Sequence, residues 1–332
     1  MRESLAVFSS DVLKMDLAKE VERITGTLRE LVLKQLRRRG AIVAMSGGID
    51  SSVVAALCVR ALGKERVFGL FLPEAESSGD SLRLAQLVAD SLGIETAIED
   101  IAPILAGAGC YRRRDEAIRS VVPEYGPGYK SKIVIPNVLE GAVYSIFSVV
   151  VESPEGVQKK ARLTAEAYLG IVAATNFKQR TRKMMEYYHA DRLQYAVAGT
   201  PNRLEYDQGF FVKNGDGAAD VKPIAHLYKT QVYDLAAYLG IPEEVRKRPP
   251  TTDTYSLAQS QEEFYFSVPY DKMDLCLYGC NHGVPPAEVA PVVGLTPHQV
   301  EQVYHDIAAK RRATRYLHLK PLLVEDVREV TE

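Results

Sequence analysis

Apolar residues along the chain recur with two periods. Leu17, Val21, Ile24, Leu28, Val32 and Leu36 are spaced by three or four positions, which predicts an amphipathic helix ending at the RRRG stretch of 37–40. Ala41 to Met45 is a short, β-prone apolar run; after a polar break, Val54, Leu57, Cys58, Ala61 and Leu62 return to helical spacing. The pattern reads strand, tight loop, helix. Residues 66–73 (RVFGLFLP) predict a second strand, 81–93 (SLRLAQLVADSLG) a helix and 94–100 (IETAIED) a third strand. Alternation of this kind predicts an α/β fold, a doubly wound parallel sheet with helices on both faces.

Past Ile101 the rhythm changes. Residues 111–162 open with YRRRDE, pass the turn-rich PEYGPGYKSK and contain KIVIPN and VYSIFSVVVESPEG, which predict a β-hairpin or ribbon added to the sheet. This insertion is too small for an independent domain, so residues 1–332 are expected to form a single domain carrying an inserted segment at about 111–162. Helical spacing resumes over 161–193, a strand (YAVAGT) follows, and 201–220 (PNRLEYDQGFFVKNGDGAAD) reads as a polar loop of the kind that carries sites. Residues 223–242 predict a helix ended by Gly240 and Pro242, and 246–274 reads as a mobile loop. Thr296 and Pro297 start a last helix that runs to AAKRRATR.

The break between the first strand and its helix, SGGIDSS at 46–52, carries the chemistry. At a strand-to-helix turn, loop amides and first-turn amides converge where the helix dipole favours an anion. Gly47 and Gly48 permit close approach, and Ser46, Ser51 and Ser52 can add hydroxyl donors. Asp50 would repel a phosphate unless a cation lay between them, so the loop reads as a nucleotide–Mg²⁺ site. The pattern lacks the internal lysine of the ATPase P-loop, G-x-x-x-x-G-K-[ST].

Composition narrows the setting. The chain has 332 residues, 46% hydrophobic and 25% charged, as in ordinary soluble globular proteins. A net charge of −2 gives no general attraction to nucleic acid or anionic lipid. No run of about 18 apolar residues occurs and the first residues lack a signal-peptide core, so a cytoplasmic enzyme with no membrane partner is expected. Four cysteines are too scattered for a disulfide framework; Cys276, Cys280 and His282 have no fourth ligand nearby and read as ordinary thiols and an imidazole rather than a zinc site.

Five blocks, SGGIDSS, NFKQRTR, GTPNRLE, FFVKNGDGAAD and LYKTQV, occur in an order that resembles the ammonia-using NAD synthetases, members of the N-type ATP pyrophosphatases. The resemblance covers about residues 14–320 outside the insertion. It implies adenylation of the nicotinate carboxylate of deamido-NAD by ATP, release of pyrophosphate, and displacement of AMP by ammonia. It further implies that Ser46, Gly47, Gly48, Ile49, Asp50, Ser51 and Ser52 wrap the triphosphate, and that Thr200, Lys229 and Thr251 also contact ATP. Asp50 and Glu205 would ligate Mg²⁺, Arg180, Lys213, Asp220 and Lys310 would bind deamido-NAD, and no covalent protein nucleophile is required. A homodimer is implied as well, with ammonia free or delivered by a separate glutaminase subunit.

The chain departs from the family at Gln179, usually alanine, at Arg203, usually lysine, at QSQE of 259–262, usually Q-T-D-E, and at Ala309, usually histidine. Two other readings stand beside the first: a paralogue that amidates a different carboxylate, and, from another class, a nucleotide-binding partner without turnover or an RNA-modifying adenylase using YRRR and KQRTRK as a basic patch. The acidic balance argues against RNA.

Overall fold

The computed structural model describes residues 8–134, 147–249, 255–257, 265–266 and 268–327. Strands β1 (Ala41–Ala44), β2 (Val67–Phe71) and β3 (Glu95–Ile98) lie parallel with β7 (Ala196–Ala198) in the order β3-β2-β1-β7. Ala41 sits beside Val67 on one side and Ala196 on the other, and Ala198 bridges on to Val221. Ile42 and Val43 are both wholly buried although they point to opposite faces, Ile42 into one apolar core and Val43 into the other. That is why β1 reads as a continuous apolar run and not as an alternation.

Helices α1 (Leu17–Glu30), α2 (Ile49–Leu62), α3 (Gly79–Leu92) and α8 (Lys229–Tyr238) cover one face, joining Val43 and Phe71 in one core through Val21, Leu57, Val88 and Leu235. The helical spacing that runs to Leu36 is accounted for by a wider turn, Leu31–Gln35, continuing α1. The other face is covered by α4 (Ala102–Gly107), α5 (Cys110–Arg119) and α6 (Ala165–Leu193), with Leu105, Cys110 and Ala190 against Ile42, Phe68 and Leu70.

The expected ribbon takes a different place. Strands β4 (Lys130–Val134), β5 (Ser148–Glu152) and β6 (Gln158–Arg162) form their own antiparallel sheet, with no ladder to the parallel one among the described residues. Ile133, Val149 and Val151 give it an apolar face that packs on Ile118 of α5 and Ile171 of α6, so burial of that face and not edge pairing decides where it docks. The YRRRDE stretch that opens the expected insertion belongs to α5, along the outer face of α6.

The polar stretch 201–220 contains a helix, α7 (Arg203–Gln208), started by the Asn202–Glu205 capping box and ended by Gly209. The expected mobile loop also gives way to structure, since α10 (Tyr270–Asn281) begins inside it. Between α7 and α10 lies the short α9 (Glu243–Lys247), and α11 (Pro286–Val293) and α12 (Pro297–Thr314) follow. α10 is buried on several sides, with Met273, Asp274, Leu275, Cys276 and Leu277 all inside, and a helix without a solvent face shows no amphipathic period. The predicted start of α12 at Thr296 holds: its hydroxyl caps Gln299 N at 3.2 Å.

Candidate active site

The strand order reverses direction between β1 and β7, and the loops leaving the carboxyl ends of these two strands frame a crevice, the place where open α/β sheets bind ligands. A cavity of about 700 Å³ opens there, bordered by Met45 and Ser46 after β1, Leu72 and Pro73 after β2, and Gly199 and Thr200 after β7.

Local rules shape the loop at its centre. Gly47 has φ +74°, and a Cβ there would fall 2.4 Å from the Ser81 carbonyl oxygen, so only glycine fits. Gly48 is the N-cap of α2 and has no side chain to satisfy the first-turn amides. The Ser51 and Ser52 hydroxyls turn back to the Gly48 carbonyl, at 3.1 and 2.8 Å, and Ser46 Oγ accepts from Gly48 N at 3.3 Å. The serines thus brace the loop from within, and Ile49 is buried in the helix–sheet core. Ser46, Gly48, Asp50 and Ser51 face the cavity; Gly47, Ile49 and Ser52 are not among the residues that line it.

Asp50 meets groups far away in the chain. Its Oδ1 accepts from Asn202 Nδ2 at 3.0 Å, and its Oδ2 is paired with Lys229 Nζ, which is buried. Asn202 N in turn donates to Glu205 Oε2 at 3.0 Å. Burial, reinforced by the charge of Asp50, pushes the Glu205 carboxyl up to about 8. Burial alone would lower Lys229, but the carboxylates of Asp50 and Glu205 hold its ammonium above the ordinary lysine value. At neutral pH Glu205 keeps its proton and Asp50 its ion pair with Lys229, so a divalent cation would displace the Glu205 proton and gain both carboxyl groups as oxygen donors. This donor set suits a divalent, oxygen-seeking cation that completes its shell with phosphate oxygens and water, so Mg²⁺ fits. Among the described residues no group of three or more His, Cys, Asp or Glu could hold a metal by protein ligands alone.

Lys229, expected to contact ATP, therefore sits behind Asp50 and is not part of the cavity lining. Thr200, Glu205 and Lys310 do line it. Lys310 Nζ donates to Tyr265 O at 2.5 Å and to Asp306 Oδ2 at 2.6 Å, and lies 4.5 Å from the Tyr265 ring centre; burial lowers its pKa. Arg180, Lys213 and Asp220 are outside the lining. Arg180 Nε donates to Lys213 O at 3.2 Å, while Lys213 Nζ donates to the carbonyls of Tyr316 and Leu319 at 2.8 and 3.3 Å. Asp220 accepts from Val197 N at 2.7 Å and from the Tyr187 hydroxyl at 3.2 Å, which ties it to β7. Thr251 and the 259–262 stretch lie outside the described residues.

One wall lies only partly within the NFKQRTR block, of which Arg180 alone is expected at the site. Thr175, Gln179, Arg182 and Glu186 repeat along α6 at helical spacing, and with Lys178 and Lys183 they line the cavity. The Lys183 and Glu186 side chains are paired at 2.6 Å, both buried. Polar residues at a 3.6 period on a long helix were the available signal, masked because the opposite face of α6 is also mixed. Asp216, from the FFVKNGDGAAD block, also faces this wall; its Oδ1 accepts from Val212 N at 2.7 Å, and burial raises its carboxyl. Cys58, Cys110 and Cys276 are buried and Cys280 half-buried, all as free thiols, and His282 stacks on Tyr278 at 3.9 Å. None of the described helices is long and apolar enough to cross a membrane.

Comparison with known proteins gives the family and the fold. The family described as NAD synthase matches residues 20–119 and 142–315. An NH(3)-dependent NAD(+) synthetase of Rhizobium meliloti is 64% identical over 324 residues, covering 98% of this chain and 97% of the relative. One from Mesorhizobium japonicum is 64% identical over 318 residues, covering 96% and 100%. Among solved structures, an NH3-dependent NAD synthetase from Campylobacter jejuni superposes with a TM-score of 0.61 at 23% identity over 94% of this chain and 100% of the other, a likeness of fold.

Proposed function

The chain belongs to the NAD synthase family, and on that premise we propose that it is an ATP-dependent carboxylate–ammonia ligase acting on deamido-NAD. The observation that carries the reading is the Asp50–Lys229–Glu205 cluster beside the glycine loop, set where the strand order reverses between β1 and β7.

The reaction needs a leaving group, because a carboxylate cannot lose oxide. The substrate carboxylate oxygen attacks the α-phosphorus of ATP and pyrophosphate departs; ammonia then attacks the acyl carbon, AMP departs, and the nitrogen loses a proton. The loop residues that face the cavity, Ser46, Gly48, Asp50 and Ser51, with Thr200, lie where the phosphates would sit, and Gly47, Ile49 and Ser52 shape the turn behind them. Asp50 and Glu205 would hold Mg²⁺, and the chemistry it would supply is neutralisation of charge on the departing pyrophosphate. Lys229 keeps Asp50 oriented, and Thr251 contacts ATP. Arg180 and Lys213, joined by a hydrogen bond outside the cavity lining, together with Asp220 and Lys310, bind the dinucleotide. Tyr168, Phe210 and Phe211, which line the cavity, would exclude water from the adenylate.

A single domain spanning residues 1–332, a homodimer, a cytoplasmic setting, and ammonia taken free or from a glutaminase subunit complete the proposal. Incubation with ATP, Mg²⁺, ammonium and deamido-NAD should yield NAD, AMP and pyrophosphate in equal amounts. Asp50→Asn should lower that rate by roughly 100-fold or more while the circular dichroism spectrum is kept. Pyrophosphate exchange into ATP with a different acid, and none with deamido-NAD, would overturn the substrate.

A further inference from the structure

The first turn of α8 carries Lys229, and its start is held only in part by the local sequence, where Gln231 Oε1 accepts from Tyr228 N at 3.0 Å. The N-cap position is Tyr228, not one of the residues whose short polar side chain closes a helix end. Two of the orphan amides are met by α10, 45 and 44 residues further along the chain: Lys229 N donates to Asp274 Oδ1 at 3.2 Å, and Thr230 N donates to Asp274 Oδ2 at 2.7 Å. Asp274 has no exposed surface, so this grip is shielded from water. Its carboxylate also lies at the positive end of the α8 dipole, where negative charge is favoured. Lys229 is the first helical residue, so the place where α8 begins fixes where its ammonium reaches, and that ammonium pairs with Asp50.

We propose that Asp274 is a positioning residue for the metal–nucleotide site: by clamping the amides of Lys229 and Thr230 it sets Lys229, and through Lys229 it sets the Asp50 carboxylate. It touches neither nucleotide nor metal. The inference rests on the reading of Asp50 as a Mg²⁺ ligand in the proposed ligase. It explains why a buried carboxylate is kept in a helix that otherwise presents apolar residues to its core, where an unpaired charge would be costly.

The test compares wild type with Asp274→Asn, which keeps volume and one carbonyl acceptor but places an NH₂ against a backbone donor; Asp274→Ser serves if the first variant fails to fold. Binding of Mn²⁺ in the presence of a non-hydrolysable ATP analogue, followed by electron spin resonance, should weaken about tenfold, and the Mg²⁺ concentration for half-maximal AMP formation should rise by a similar factor. KM for ammonium should stay within about twofold. In a Lys229→Met background, Asp274→Asn should have no further effect on Mn²⁺ binding, the non-additivity expected of residues acting in series. Asp16→Ala, which removes the cap that accepts from Lys19 N at 3.1 Å on the remote α1, controls for lost helix stability and should leave metal affinity unchanged. Unaltered Mn²⁺ binding in a folded Asp274 variant, or full additivity with Lys229→Met, overturns the inference. A wild type that makes no NAD overturns the ligase reading instead, and the Mn²⁺ measurement then still reads the clamp.

Discussion

Glu205 shows how one side chain's surroundings translate into a measurable property of the molecule. Its carboxyl titrates near 8 in the folded chain, first because it is buried and then because Asp50 stands beside it, against 4.5 for an ordinary glutamate. The folded state therefore holds a proton that the unfolded chain releases above about pH 4.5. The contribution of Glu205 to stability is fully present below pH 4.5 and is lost as pH rises to about 8. In the absence of divalent cations, chemical denaturation should show wild type losing stability across this window relative to Glu205→Gln. At pH 8.5 the variant should be the more stable protein, and added Mg²⁺ with ATP should restore the advantage to wild type. Parallel pH profiles of the two proteins would mean that Glu205 is ionised throughout.

At the scale of elements, the loop after β2 is fixed by a buried ionic cluster joining it to α5 and α6. Lys178 of α6 meets Glu74 at 2.9 Å and Glu76 at 2.6 Å, Arg114 of α5 meets Glu76 at 2.5 Å, and the Tyr111 hydroxyl donates to Glu74 at 2.7 Å. Lys178 and Arg114 outweigh the burial that would raise the Glu76 carboxyl, and hold it below the usual range. The Glu74 side chain has no exposed surface, so removing its cation strands a charge. Lys178→Met should destabilise the protein by about 3–5 kcal/mol in urea unfolding, whereas Lys178→Met combined with Glu74→Gln, which leaves Glu76 paired with Arg114, should recover most of the loss. Because Pro73, Ser77 and Ser78 of the same loop line the cavity, the single variant should also weaken ATP binding. Full stability in Lys178→Met would show that the cluster is ornamental to the loop.

For the whole molecule, α6 is the element that organises both sides. One face builds the cavity wall, and another leaves Met184 and Tyr188, one turn apart, more than half exposed, with Leu169 exposed further up the helix. An apolar stripe of this kind on a central helix fits an interface between two copies. Sedimentation should give a dimer, and Met184→Glu with Tyr188→Glu should give a folded monomer with a raised KM for deamido-NAD. A wild-type monomer with full activity would remove the second copy from the mechanism.

The sequence alone determined the strand–loop–helix around SGGIDSS, the parallel core strands, the cap and start of α12 at Thr296, and the family to which the order of its motifs belongs. These are local properties: a period of apolar positions, a glycine at φ +74°, a capping residue, each acting within a few positions. Only the tertiary structure decided that Lys229 pairs with Asp50, 179 positions away, that Asp274 caps α8, and that β4, β5 and β6 form a separate sheet. It also decided that buried Lys178 and Lys183 belong to the cavity wall, where the sequence offered only a charged helix. Those outcomes depend on which surfaces lose water together when distant segments pack. Burial turns an ordinary lysine or glutamate into a paired and shifted group, and nothing in its immediate neighbours along the chain records the partner it will meet.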